Sequence, residues 1–142
     1  MSENYKIVSK FIKDISFRIP NAKTYYLLEK NIKNYRVKID VKSKKINESV
    51  LEIDTNLYFD PKITEPKGTE NFKISLIFSS LINFDGKVDD SKLEKIILIE
   101  IPNAIYPDLK KITSFIFENS GFKNFDLPKM DFNKLYEDRK KN

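Results

Sequence analysis

The sequence predicts an α+β domain: a four-stranded antiparallel sheet with C-terminal helices packed on one face. Three observations predict it. As far as Phe84, apolar residues recur with a period of two, the mark of half-buried strands. After Asp85-Gly86 the period becomes helical. The strands also come in sequence before the helices, an order that favours an antiparallel sheet with segregated helices.

The first strand is expected over Tyr5 to Ile19. Tyr5, Ile7, Phe11, Ile15, Phe17 and Ile19 fall on one face, and Lys6, Lys10, Asp14, Ser16 and Arg18 alternate with them. Pro20-Asn21 ends it, because proline has no ladder donor. The second strand runs from Tyr35 to Lys42, with Tyr35, Val37, Ile39 and Val41 on one face. The third covers Ser49 to Asp60 and groups Leu51, Ile53, Leu57 and Phe59. A loop with two prolines and a glycine follows from Pro61 to Thr69, and the fourth strand covers Phe72 to Phe84. The opposite face of this sheet is not fully polar, since Val8, Ile12, Tyr58, Ile77 and Leu81 fall there. A domain this small cannot easily cover both faces, so the pattern points to oligomerisation or to a binding surface.

In the helical part, Ser91-Lys92-Leu93-Glu94 fits a capping box. Pro102 is expected to interrupt the helix that follows. A second helix is expected from Pro107 to Asn119, burying Leu109, Ile112, Phe115 and Ile116, with Gly121 as its C′ residue. Residues 122–128 read as a loop. A short third helix starts at Asp131 with Phe132, Leu135 and Tyr136 on one face, and the charged tail 139–142 is expected to fray. The whole, residues 1–142, is read as one domain.

Composition removes most chemistry. The chain contains no His and no Cys. That excludes a Ser-His-Asp triad, thiolate catalysis and Cys- or His-based metal clusters. Gly68, Gly86 and Gly121 are isolated, so no phosphate-binding glycine loop can be written. Asp54 and Asp60 are carboxylates without a pairing that marks a catalytic site. No nucleotide, metal or other cofactor is expected, and no enzyme. The polar start Met1-Ser2-Glu3-Asn4 does not read as a signal peptide, and the longest apolar run, Ile96 to Ile99, is too short to span a membrane. A cytoplasmic protein is expected. The net charge of +5 raises a nucleic-acid-binding module as an alternative, but the cations are almost all Lys scattered among acids, with Arg only at 18, 36 and 139.

Two blocks carry a family resemblance. Lys13-Asp14-Ile15-Ser16-Phe17-Arg18-Ile19-Pro20-Asn21-Ala22 resembles the first-strand signature of the SecB export-chaperone family, Lys-Asp-aliphatic-Ser-Phe-Glu-x-Pro-x-Ala. The second block is C-terminal. Ile101 to Pro107 resembles the family's Ala-Pro-x-x-Leu-Phe-Pro element, Gly121-Phe122 with Leu127-Pro128 resembles its Gly-aromatic-Pro and Leu-x-Pro turns, and Asp131 to Tyr136 resembles Asp-Phe-x-x-Leu-Tyr. Ile-Pro-Asn-Ala occurs twice, at 19–22 and 101–104, as an internal repeat or as ordinary turn chemistry.

The resemblance implies a homotetramer, a dimer of dimers, that holds unfolded preproteins in apolar grooves without nucleotide and passes them to the SecA motor. Tyr25 and Tyr26, adjacent aromatics just after a strand-ending proline, are candidates with Tyr35 for lining such a groove. The family's acidic SecA-docking surface maps onto Asp14, Arg18, Lys73 and Ser75. Asp14 keeps its charge; Arg18 stands where the family has Glu, and Lys73 and Ser75 stand for a Leu and a Glu. That departure raises a second reading, a SecB-like chaperone uncoupled from SecA that serves a toxin–antitoxin pair or another dedicated client.

Overall fold

The structure is a computed structural model that describes residues 5–32, 35–61, 73–123 and 125–141. Four strands, β1 (Tyr5–Arg18), β2 (Tyr35–Lys45), β3 (Val50–Pro61) and β4 (Lys73–Phe84), form one antiparallel sheet in the order β1-β4-β3-β2. Helix α1 (Ala22–Asn31) follows β1. Helices α2 (Asp90–Lys95), α3 (Ile101–Asn119) and α4 (Phe132–Lys141) follow β4. The expected architecture is therefore present. The expected loop lies, beyond Pro61, outside the described residues, as does Phe72 of the fourth strand.

The period of two holds in three strands. Ile53 and Leu57 of β3 and Ile74, Leu76, Phe78 and Ile82 of β4 are buried against the helices. β2 and β3 join through a tight turn in which Asn47 Oδ1 accepts from the amides of Ser49 and Val50, both at 2.9 Å. In β1 the expected facing holds for Tyr5, Ile7, Ile15 and Phe17 and fails only between two bulges. The register slips between Ile7 and Ser9 and again between Ile12 and Asp14. Each bulge inserts one unpaired residue and exchanges the faces. Tyr5, Ile7, Ile15 and Phe17 lie opposite Phe84, Ile82, Leu76 and Ile74 on the helix side as expected, whereas Ile12, opposite Phe78, turns to that side and Phe11, opposite Ser79, turns to the far side.

Helix α1 is absent from the sequence reading. Asn21 is not a turn terminator there but the helix cap, its side chain accepting from the Thr24 amide at 2.8 Å. Leu28 and Ile32 carry the apolar face of this segment into the core. The second Ile-Pro-Asn-Ala lies within α3, with its proline in the first turn, so the two copies do different jobs and are not a structural repeat.

Pro102 does not interrupt the C-terminal helix. Between α2 and α3 the chain makes a π-helical turn, Ile96–Glu100, in which the Ile101 amide donates to the Ile96 carbonyl. The widened turn absorbs the proline and the helix runs on through Pro107. The capping box is also not formed around Ser91. Asp89 caps α2, accepting from the Lys92 amide at 2.9 Å, and Glu94 instead accepts from the Tyr136 hydroxyl at 2.6 Å. Because the helix starts earlier than expected, its buried row is Ile101, Ile105, Leu109, Thr113 and Phe117, each four residues on. Phe115 is 66% exposed and leaves the expected set. α4 buries Phe132 and Tyr136 but leaves Leu135 half exposed, and it stays helical as far as Lys141 rather than fraying from residue 139.

Gly121 does end α3. At φ 91 it lets the Phe122 amide return to the Phe117 carbonyl at 2.9 Å while its own amide reaches Glu118 at 3.4 Å. Phe117 sits at the centre of an aromatic cluster: ring centroids of Phe17, Phe59, Phe122 and Phe125 lie 5.5, 5.3, 5.5 and 4.0 Å away. Phe117→Ala is predicted to cost about 3–5 kcal/mol in urea unfolding, whereas Phe115→Ala should stay within about 0.5 kcal/mol in the monomer.

Candidate functional site

A concavity of about 890 Å³ opens between the end of α1, the start of β2 and the segment that follows α3. Ile32, Tyr35 and Val37 form one wall, Phe59 the floor, and Phe122, Phe125 and Met130 the other wall. Glu29, Lys30, Arg36, Lys123 and Asp126 ring its mouth.

Each wall is held in place by identifiable contacts. The glycine turn after α3 throws the chain back over the sheet, and Phe122 packs on Phe117. Buried Leu127 then pins the segment, and the Tyr106 hydroxyl donates to the Pro128 carbonyl. Burial, with Asp126 nearby, pushes the Tyr106 phenol up to about 12, so it remains a donor at any physiological pH. Lys110 pairs with Asp126 at 3.7 Å, which offsets one of the two acids at the mouth. An apolar cleft with a charged mouth is suited to binding apolar side chains.

Of the three tyrosines expected in a groove, Tyr35 lines this one and is buried. Tyr25 stands behind it: its hydroxyl donates to the Gly121 carbonyl at 2.8 Å and its ring packs on Phe122 at 5.2 Å. Tyr26 points away, 57% exposed, with Lys30 Nζ 4.4 Å from its ring centre. Phe59, Phe125 and Met130 went unrecognised as site residues. The available signal was the density of apolar residues in 122–130, a stretch with no helical or strand period that nevertheless buries Phe122 and Leu127.

The other predicted surface lies on the far side of the sheet. Arg18 is opposite Lys73, Ser16 opposite Ser75 and Asp14 opposite Ile77, so Asp14, Arg18, Lys73 and Ser75 share one face of the β1–β4 pair. Beside them the bulge residue Lys13 reaches across to Glu52 Oε2 at 2.6 Å and Asp54 Oδ2 at 2.8 Å. Burial pushes the Asp54 carboxyl upward, but Lys13, Glu52 and Ser79 outweigh it and hold Asp54 below the usual carboxylate range. Hydrogen bonds to Asp54 and Glu52 raise Lys13 in turn.

Comparison with known proteins decides the family. The profile of preprotein translocase subunit SecB matches residues 1–142. The chain belongs to the SecB family. A putative protein-export protein SecB of Pelagibacter ubique is 37% identical over 98% of this chain and 99% of its own length. A protein-export protein SecB of Nitrosospira multiformis is 26% identical over 96% of this chain and 82% of its own length. Among solved structures, a SecB-like chaperone of Mycobacterium tuberculosis, in complex with a peptide from an antitoxin, aligns over 90% of this chain and 88% of that one. Its TM-score is 0.66 at 10% identity, which shows a shared fold. The SecB sheet and C-terminal helices expected from the sequence are thus confirmed. Among the described residues no helix is long and apolar enough to cross a membrane.

The Lys13 clamp gives a pH prediction. Asp54 is depressed on folding, so its contribution is present above the unfolded-state value and is lost as pH falls through the folded one. Lys13→Met removes the first-ranked of the influences that lower Asp54 and leaves burial less opposed. Urea unfolding of both proteins between pH 7 and pH 3 should show a destabilisation that is largest at pH 7 and shrinks on acidification.

Proposed function

We propose that this SecB-family chain is a single-domain, ATP-independent holdase of the cytoplasm that binds unfolded preproteins and keeps them competent for SecA-driven export. The observation that carries this reading is the 890 Å³ groove walled by Ile32, Tyr35, Val37, Phe59, Phe122, Phe125 and Met130. An unfolded chain exposes apolar side chains at irregular spacing, and an aromatic- and Met-lined groove accepts many of them without sequence selectivity. Holding needs no catalytic group, in keeping with a non-enzyme.

The assembly proposed is a homotetramer, a dimer of dimers. β1 is an edge strand, and Val8, Phe11, Ile12 and Ile15 along it are 42–54% exposed. An edge with free backbone donors and acceptors and this much apolar area calls for a partner strand. Light scattering is expected to give a tetramer of the 16.7 kDa chain at micromolar concentration; a stable monomer contradicts it.

Two experiments test the activity. Substoichiometric tetramer is predicted to suppress aggregation of a chemically unfolded model protein without nucleotide. No suppression, or suppression only with ATP, rules the reading out.

The second concerns delivery. Opposed Arg18 and Lys73 make the β1–β4 face basic where the family resemblance implies an acidic docking surface. A second reading, a SecB-like chaperone uncoupled from SecA, follows from that reversal. Binding to a SecA from a bacterium with an acidic SecB is predicted to be weak and to be strengthened by Arg18→Glu with Ser75→Glu, more so at low salt. Tight binding of the unmodified protein to that SecA overturns the prediction, as does a reversal with no effect.

A further inference from the structure

The groove is the first of three concavities set along β2, which together make a trough. Further along the strand, beside Ile39 and Val41, Leu98, Phe132 and half-exposed Leu135 form a cavity of about 260 Å³. The third lies at Ser43, beside Leu93 and Ile97, with about 310 Å³ more. The trough therefore follows β2 along most of its length. β2 is also the sheet's other edge, paired with β3 on one side only. Its inner positions are Tyr35, Val37, Ile39 and Val41. Its outer positions are Arg36, Lys38, Asp40, Lys42 and Lys44, four cations and one anion.

The acids that face two of these lysines are already engaged. Lys42 is opposite Asp54 and Lys44 opposite Glu52, and both carboxylates are drawn to Lys13 from the far side of the sheet. Among the described residues neither Lys42 nor Lys44 forms an ion pair. Lysines on an edge strand protect against pairing with another basic strand. They favour pairing with an acidic one, because directly opposed residues on neighbouring strands lie within about 5 Å of each other.

We propose that the trough and the β2 edge together select extended segments in which apolar residues alternate with acidic ones, added to β2 as a further strand. This rests on the holdase reading and adds to it a client chemistry and a binding mode. The strand period places residues i, i+2 and i+4 of the client in the trough and residues i+1 and i+3 against Lys42 and Lys44. Apolar contacts supply the affinity, and the charge row supplies the choice of segment.

The test uses the full-length protein and four fluorescein-labelled ten-residue peptides. One alternates Leu or Phe with Glu; the second replaces every Glu by Lys; the third has the first one's composition with the apolar residues in one block; the fourth is the first with alternate backbone amides methylated. Anisotropy is expected to show the Glu peptide binding about tenfold more tightly than the Lys peptide at low salt. The gap should narrow at high salt. The blocked and methylated peptides should bind about tenfold more weakly than the first. Lys42→Glu with Lys44→Glu should invert the preference between the Glu and Lys peptides.

Equal affinity for all four peptides overturns the proposal while leaving the holdase reading intact. Tighter binding of the Lys peptide to the unmodified protein overturns it too, and full binding of the methylated peptide removes strand addition. Failure to bind any peptide, together with no suppression of aggregation, overturns the holdase reading itself.

Discussion

The burial of Phe117 is the interaction on which the groove depends. It is the last member of a row of residues four apart on α3, and its ring meets Phe17 from β1, Phe59 from β3, and Phe122 and Phe125 from the returning chain. Those contacts dock the end of the helix on the sheet and fix where the chain turns at Gly121. A Cβ there would meet the Tyr25 hydroxyl at 2.6 Å, so the turn is closed from outside as well. Phe122 and Phe125 thereby become a wall instead of a free loop, and Phe59 becomes a floor. Aromatic rings suit the role, since each buries a large area and still tolerates an oblique neighbour. Binding capacity and stability here share the same side chains.

The sheet obeys a second constraint, set by the two bulges of β1. A regular strand would turn Phe11 toward the helices and Ile12 away. The slips at Val8 and Lys13 exchange the two, and apolar side chains remain exposed along an open edge. The second bulge also sends Lys13 across to Glu52 and Asp54, where it neutralises acids in the middle of the far face. The same clamp holds the edge strand to the sheet centre and leaves the outer row of β2 basic.

These features were unequally legible in the sequence. β2, β3 and β4 could be read because each has one buried face and no slip, so alternation survives. Arg18, Lys73 and Ser75 were brought to one surface by the family resemblance, not by alternation. β1 was misread only between its two bulges, at Phe11 and Ile12, because a bulge leaves no mark in composition: one inserted residue reverses the side chains after it until a second restores the phase. α1 was missed because Asn21 carries the same chemistry as a turn and as a cap, and only the following Thr24, Leu28 and Ile32 resolve which. Pro102 signalled a break that a π-helical turn accommodates. The groove was legible only at Tyr35. Its other walls come from segments distant in sequence, and nothing local tells Phe59 or Phe125 from an ordinary core residue.

The most direct measurement places a photoreactive phenylalanine analogue at one position at a time and illuminates the protein with an unfolded client bound. Positions Met130, in the groove wall, and Asn83, exposed at the end of β4 and outside the groove, give the decisive comparison. Strong cross-linking to client from Met130 and little from Asn83 is the result the account predicts. Equal yields from the two positions, or client captured from Asn83 alone, would contradict a groove built around Phe117 as the seat of binding.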